Sequence, residues 1–463
     1  MNSWTRRVAT LISLMLVAVL VGVACSGAPE EAETPTEAPA SEPTEAPADE
    51  EPVEEEPVEE EPVEEEPAEE EPVEEEPAEE EPAEEEPSAE GEVGVTDDEI
   101  LLGMYSSLTG PLASTGTPAL EGLQTWVEDV NARGGIGGRQ VRLIEYDDAG
   151  SPEEAVAAAR RLIEQDQVFA LICGSGSSPT LATLDLVDES GIPFVSCISA
   201  HRDVLNPFRP NVYRVYANEI AQSEEVVRYI TEDLGAERPA IIYNSTDFGV
   251  GGYEIMVEWL ANEKGLEFVA AERYNVGDQD FTAPLLNISS AEPDVLIMHS
   301  FAAEAGVIVR QARELGIDVP LVGGGGVPTP LLPEAAGEDA VGVVAVWVFP
   351  VRPEDTTGPM ATLRELQEQY IFPDGYPAGR PSLYDMTGYM TGTIVEEALQ
   401  VCTDTLTREC FMDALDSMEG FEPGGGIGFP VTFTDSDHEG TDETAWVRVN
   451  SDLEWELFDP AAE

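Results

Sequence analysis

Val168-Phe169-Ala170-Leu171-Ile172-Cys173-Gly174-Ser175-Gly176-Ser177-Ser178-Pro179-Thr180 holds a strand, a tight turn and a helix start in one short run. Residues Val168–Ile172 are apolar without alternation, the pattern of a strand covered on both faces inside a parallel sheet. The glycines at 174 and 176 interrupt it. Ser178 then stands where a helix cap is expected, and Pro179 in the first turn, where its missing N–H is no loss. A helix over Pro179–Glu189 would leave backbone N–H groups unpaired at the positive end of its dipole, beside the hydroxyls of Ser177 and Thr180. Such donors suit a carboxylate or carbonyl. They equally suit an ordinary helix cap.

The same alternation continues on both sides. Strands are predicted at Ile100–Tyr105, Val141–Tyr146, Pro193–Cys197, Ala240–Tyr243, Glu267–Ala271 and Asp294–Met298. Helices are predicted at Pro118–Ala132, Ile220–Leu234, Gly252–Lys264 and Ala302–Leu315. Ser151-Pro152-Glu153-Glu154 opens one more, with Ser151 as cap, Pro152 at the first helical position and Glu154 completing a capping box. Strand–helix alternation of this kind gives an α/β fold with parallel sheets. A span from Thr96 to the end is long for one sheet, since single cores stop growing beyond about 250–300 residues. Two doubly wound parallel-sheet lobes are therefore expected. Open parallel sheets bind ligands beyond the carboxyl ends of their strands, so two such lobes face to face make a closing cleft. Ser196-Cys197-Ile198-Ser199-Ala200-His201 ends the strand after the opening one and falls at the same edge.

Outside this region the chain is quite different. Arg6 and Arg7 precede an apolar run, Val8–Val23, and then Ala24-Cys25-Ser26, the layout of a secretory signal (residues 1–25). The run is shorter than the roughly 20 residues of a spanning helix. Its ending resembles a lipobox, with Cys25 as the lipidated residue, although Gly22 stands where bacterial lipoproteins usually carry Leu. An uncleaved anchor or an ordinary signal is the other reading. Residues 26–92 are dominated by Glu, Pro, Ala and Thr, with EEEPV and EEEPA recurring every five residues. Too few large apolar side chains are present to offset chain entropy, so a disordered acidic tether is expected. At about 3 Å per residue it would reach about 200 Å. The whole chain carries −74. Residues 93–463 alone hold 63 acidic against 19 basic side chains. Nucleic acid and anionic membrane surfaces are poor partners for such a charge.

Ser106-Ser107-Leu108-Thr109-Gly110-Pro111, Asn131-Ala132-Arg133-Gly134-Gly135-Ile136-Gly137-Gly138, Tyr146-Asp147-Asp148, Asp280-Phe281-Thr282 and Arg310-Gln311-Ala312-Arg313-Glu314-Leu315-Gly316 follow one another along this region. In register, they resemble the branched-chain amino-acid (leucine/isoleucine/valine) binding proteins of ABC transporters. The similarity runs from Thr96 to Phe458. It implies a type I periplasmic binding protein, two lobes joined by three crossovers, within a solute-binding domain at 93–463. Lobe 1 would hold about 96–216 and 341–428, and lobe 2 about 217–340 and 429–463. By the same resemblance the 174–180 loop receives a ligand carboxylate through Ser177, Ser178 and Thr180. Ser199, Ala200 and His201 would contribute from the next strand end and Leu108 from the first. Phe248 and Phe301 would supply the aromatic wall of the second lobe. Relatives that hold an α-amino acid commonly have an acid where this chain has Gly325; Asp385 and Glu304 are the available substitutes.

These readings imply an extracytoplasmic, lipid-anchored, monomeric protein that captures an amino acid, amide or carboxylate by lobe closure. It would deliver that solute to an ABC permease. A ligand-sensing receptor acting through a membrane partner is the alternative. An enzyme is disfavoured: GxSxG, HExxH and CxxC are absent, GGGGV at 323–327 lacks the ending of a phosphate loop, and His201, His299 and His438 are scattered. Neither metal nor cofactor is expected. Export permits disulfides; Cys402 and Cys410, flanking a short loop, are expected to pair, whereas Cys173 and Cys197 fit either a bridge or buried thiols.

Overall fold

The computed structural model describes residues 91–377 and 379–462. Cys25, the signal segment and the Glu/Pro-rich segment up to residue 90 lie outside the described residues.

Five strands, β1 (Glu99–Ser106), β2 (Gln140–Asp147), β3 (Ala170–Cys173), β4 (Phe194–Ser196) and β5 (Val212–Arg214), form one all-parallel sheet in the order β2-β1-β3-β4-β5. β3 is buried along its whole length, as its unbroken apolar run requires. Seven more form the second sheet: β6 (Pro239–Asn244), β7 (Ala270–Tyr274), β8 (Val295–His299), β9 (Leu321–Gly323), β10 (Val344–Trp347), β11 (Ala445–Val449) and β12 (Trp455–Phe458). Their order is β12-β11-β10-β9-β8-β6-β7. The last two are antiparallel, a hairpin closing one edge.

The helices α1 (Ala113–Ala132), α2 (Pro152–Glu164) and α3 (Ser177–Ser190) belong to the first sheet. α4 (Glu219–Arg228), α5 (Asp247–Trp259), α6 (Thr282–Ser290), α7 (Ala302–Glu314) and α8 (Leu331–Ala336) accompany the second. α9 (Pro359–Tyr370), α10 (Leu383–Val401) and α11 (Arg408–Asp416) return to the first lobe. There α10 lies against α1 so closely that a side chain at Gly122 would collide with the Asp385 backbone, and one at Gly388 with the Ala119 carbonyl. Trp126 Nε1 donates to Glu396 across this contact at 2.9 Å, and Arg133 holds the same carboxylate through both terminal nitrogens.

Two doubly wound lobes and three passages between them match the expected architecture, with shifted borders. β10 lies inside the span 341–428 given to the first lobe, yet it pairs with β9 and β11 in the second sheet. The second passage therefore follows Trp347. Residues 429–440 pack on the first lobe rather than the second: Val431 bridges Phe421, and Gly440 N–H donates to Arg214 O. The third passage thus falls just before Ala445. Other differences are local. The strand expected at Glu267–Ala271 is β7, three residues later, because Leu266 and Phe268 turn into the second core before Val269 N–H joins Pro239 O. The helices expected to reach Leu234 and Lys264 both end in a π turn, Tyr229–Asp233 and Leu260–Lys264. Ser151 caps α2 through the Glu154 N–H, but the return half of the capping box is not formed; Ser151 N–H donates to Asp148 O instead.

Cys402 and Cys410 are joined by a disulfide of 2.04 Å. Cys173 and Cys197 are also bonded, tying the end of β3 to the residue after β4.

Candidate functional site

Both sheets reverse their strand order at one place, between β1 and β3 in the first and between β6 and β8 in the second. Loops leaving neighbouring strands in opposite directions there open a crevice at the carboxyl edge. In this chain the two crevices face each other. Leu112, Thr115, Gly176 and Ser177 line a hollow of about 50 Å³ from the first, and Phe248 and Phe301 from the second.

The first wall is built by the turn after β3. Cys173 and Gly174 both have positive φ, 72° and 73°, swinging the chain out of the sheet before α3 starts. Gly174 has no room for a side chain either, since a Cβ there would meet the Phe194 ring and the Tyr105 hydroxyl. The cap position of α3 is Gly176, without a side-chain hydrogen bond, and the first helical bond runs from Thr180 N–H to Gly176 O. The N–H groups of Ser177 and Ser178 thus have no intrahelical acceptor. Ser177 Oγ accepts from Ser199 Oγ at 3.3 Å, leaving its own hydrogen for the hollow.

Of the residues singled out from sequence, Ser177, Ala200, Phe248 and Phe301 line the hollow. The others do not. Thr180 is buried and donates to Ser175 O, fixing the turn from behind. Ser178 is not the cap: it sits one residue inside the helix, and its Oγ accepts the Asp247 N–H from the opposite lobe at 3.1 Å. Leu108 packs outside the hollow with its N–H on Asp147, and Leu112, one turn of chain later, takes the position facing it. His201 is 8% exposed and turned away; its Nδ1 accepts the Asp203 N–H, and burial holds it below the ordinary histidine range. The two suggested acids are also occupied. Asp385 completes the α10 capping box with Ser382 and pairs with Arg380, while Glu304 accepts the Gly277 N–H.

The remaining wall comes from elements far away in sequence. Tyr216 and Gln222 arrive on the first passage and α4, Gly325 and Gly326 on the turn after β9, and Leu383, Tyr384 and Thr387 on the first two turns of α10. Burial raises both phenols, Tyr216 and Tyr384, above the ordinary tyrosine range, so they are neutral donors. Tyr216 spends its proton on Ile198 O. A second hollow of about 220 Å³ adjoins at Thr115, Phe301, Gly326 and Tyr384.

Three buried ionisable groups lie behind the walls, and two of them, His299 and Arg214, hold the walls in place. His299 stacks under Phe248, ring centres 4.3 Å apart, and bonds Phe248 O at 3.0 Å through Nε2. It fits only because positions 252 and 324 are glycines, each of which would otherwise drive a Cβ into the imidazole. Burial lowers its pKa to about 4, so it stays neutral. Arg214, wholly buried at the end of β5, donates to Ala200 O and His201 O and so fixes the loop presenting Ala200. Glu219, first residue of α4, is wholly buried; burial, opposed by Arg214 and by the Arg202 backbone N–H, raises its pKa to about 8. Across the cleft Arg202 reaches Glu254 at 3.3 Å. Among the described residues no group of three His, Cys, Asp or Glu is placed to hold a metal.

A family model described as periplasmic binding protein matches residues 99–454. An amino acid binding protein of Pseudomonas aeruginosa is 29% identical over 60% of this chain and 74% of its own length. The leucine-specific-binding protein of Salmonella typhimurium is 25% identical over 72% of this chain and 91% of its own. A periplasmic binding protein type 1 structure from Bordetella pertussis, also 25% identical, superposes with a TM-score of 0.68 over 78% of this chain and all of that one.

Proposed function

The chain belongs to the periplasmic binding protein family, whose members bind solutes rather than transform them, and from that premise we propose that it is the extracytoplasmic solute receptor of an ABC importer. Cys25 carries the lipid that holds it at the membrane, and the Glu/Pro-rich segment spaces the receptor from the surface. The solute is a small polar metabolite, an amino acid, amide or carboxylate. It docks first on the Ser177 wall and the second lobe then closes Phe248 and Phe301 over it, a hinge motion about the three passages. The closed form, as a monomer, is what the permease engages.

One observation carries this reading. The unpaired N–H groups opening α3 on one lobe face an aromatic pair on the other, at the switch points of both sheets. A helix start of this kind attracts negative charge or a carbonyl oxygen, and the rings exclude water from it. Titration calorimetry of the receptor against amino acids, short amides and carboxylates tests the function. Saturable one-to-one binding is expected; turnover of a substrate without such binding would overturn it. Cys25→Ser should release the protein from membranes, and unchanged retention would remove the lipid anchor from the account.

A further inference from the structure

The charge inside the hollow narrows the solute class, an inference that rests on the solute-receptor reading above. Its polar lining consists of Thr115, Ser177, Tyr216, Gln222, Tyr384 and Thr387, and among the described residues no Asp, Glu, Lys, Arg or His lines it; Glu334 and Arg380 line the adjoining hollow. Of the buried carboxylates nearby, Asp385 is held by Arg380, Gln367 and Ser382, Glu304 by Gly277, and Asp148 by Ser107 and Gly150, while Glu219, whose Oε1 is turned toward Gly251, does not line the hollow. One end of the hollow has the N–H donors and hydroxyl of the α3 start. The other has Gln222, 3% exposed, whose Nε2 donates to Ala217 O at 2.8 Å. A backbone carbonyl can only accept, which fixes the amide's orientation. Its Oε1 is therefore turned toward Gly325, where even a Cβ would collide with it, and it has no hydrogen-bond donor among the described residues. The hydroxyl oxygens of Tyr216 and Thr387, whose protons go to Ile198 O and Leu383 O, can accept as well, and every acceptor that these side chains offer is uncharged.

We infer that the hollow takes a small monocarboxylate bearing an uncharged donor, a hydroxyl, beside its apolar body, and discriminates against the corresponding α-ammonium acid. The carboxylate meets the Ser177 and Ser178 N–H groups and the Ser177 hydroxyl. The donor meets Gln222 Oε1. An ammonium brings a full charge to a place whose lining side chains offer only uncharged acceptors, and a buried charge without a counter-ion is strongly disfavoured. A hydroxyl brings one hydrogen and no charge. A site that satisfies one polar group discriminates steeply against its mismatch, since groups left unpaired in burial lose the whole of their hydration.

The test is calorimetry of the full chain with trios sharing one carbon skeleton: L-leucine, (S)-2-hydroxy-4-methylpentanoate and 4-methylpentanoate, then the same trio built on methyl, isopropyl and benzyl side chains. In the best-binding skeleton the hydroxy acid should bind at least about 100-fold more tightly than the amino acid, with the unsubstituted acid between them. An amino acid binding as tightly as its hydroxy acid, or more tightly, overturns this inference and leaves the receptor reading standing. A folded protein that binds no member of any trio overturns the inference together with the small-acid reading of the cleft. Gln222→Ala with Gly325→Glu supplies a carboxylate and the space for it, and should reverse the preference toward the amino acid. If that variant fails to fold, the wild-type trios decide alone.

Discussion

Glu219→Gln should make the folded receptor more stable at neutral pH and leave it unchanged in acid. The wild-type carboxyl sits wholly buried at the start of α4, where burial outweighs Arg214 and the Arg202 N–H and raises its pKa from 4.5 to about 8. A folded-state pKa above the unfolded one gives stability that is complete below pH 4.5 and is lost as pH rises through 8. Each pH unit between those limits removes about 1.4 kcal/mol. At pH 7 the loss is about 3 kcal/mol, and it levels off at about 5 kcal/mol above pH 8. Glutamine imitates the protonated acid and has no such dependence. Urea unfolding of both proteins at pH 5, 6, 7 and 8.5 reads the difference directly. The two curves should nearly coincide at pH 5 and separate by about 3 kcal/mol at pH 7, Gln above Glu. Parallel curves across that range would refute the claim that Glu219 is buried uncharged behind the cleft.

His299 acts on the opposite limb. With its pKa lowered to about 4 from 6.5, stability present above pH 6.5 is lost by about 3 kcal/mol on acidification to pH 4, and His299→Gln should flatten that loss in the same unfolding assay. Gly174→Ala must place a side chain at φ +73° against the Phe194 ring, and thermal melts should show a destabilisation of about 2–3 kcal/mol together with weakened ligand binding. Phe301→Ala removes the largest apolar side chain among the four residues that line both hollows. It should weaken binding of the wild-type solute about 10-fold while admitting longer tails, both read by calorimetry.

The sequence was most readable where packing is continuous along the chain. Unbroken apolar runs such as Ala170–Cys173 and the Val-Leu-Ile-Met of residues 295–298 are buried on both faces, so their type follows from composition. β5 and β9 are three residues each, too short to leave a pattern, and β10 gave no sign of which sheet it joins, because pairing partners are chosen by tertiary contact. The cleft was legible only in part for the same reason. Ser177 and Ala200 follow strands and are found by the rule that ligands sit beyond strand ends. Gln222, Tyr384 and Thr387 are ordinary helix residues locally and reach the hollow only once the passages between lobes are known. Ser178 had the right type for a cap but the wrong register by two, since Gly176 takes that position and frees the serine for Asp247.

A crystal structure of the receptor with its solute bound tests the central claim most directly. The solute should lie between the lobes, with a carboxylate or carbonyl oxygen about 2.7–3.2 Å from the Ser177 and Ser178 N–H groups and its apolar body against Phe248. A solute bound outside the cleft, or one whose oxygen leaves the α3 start unoccupied, would contradict it.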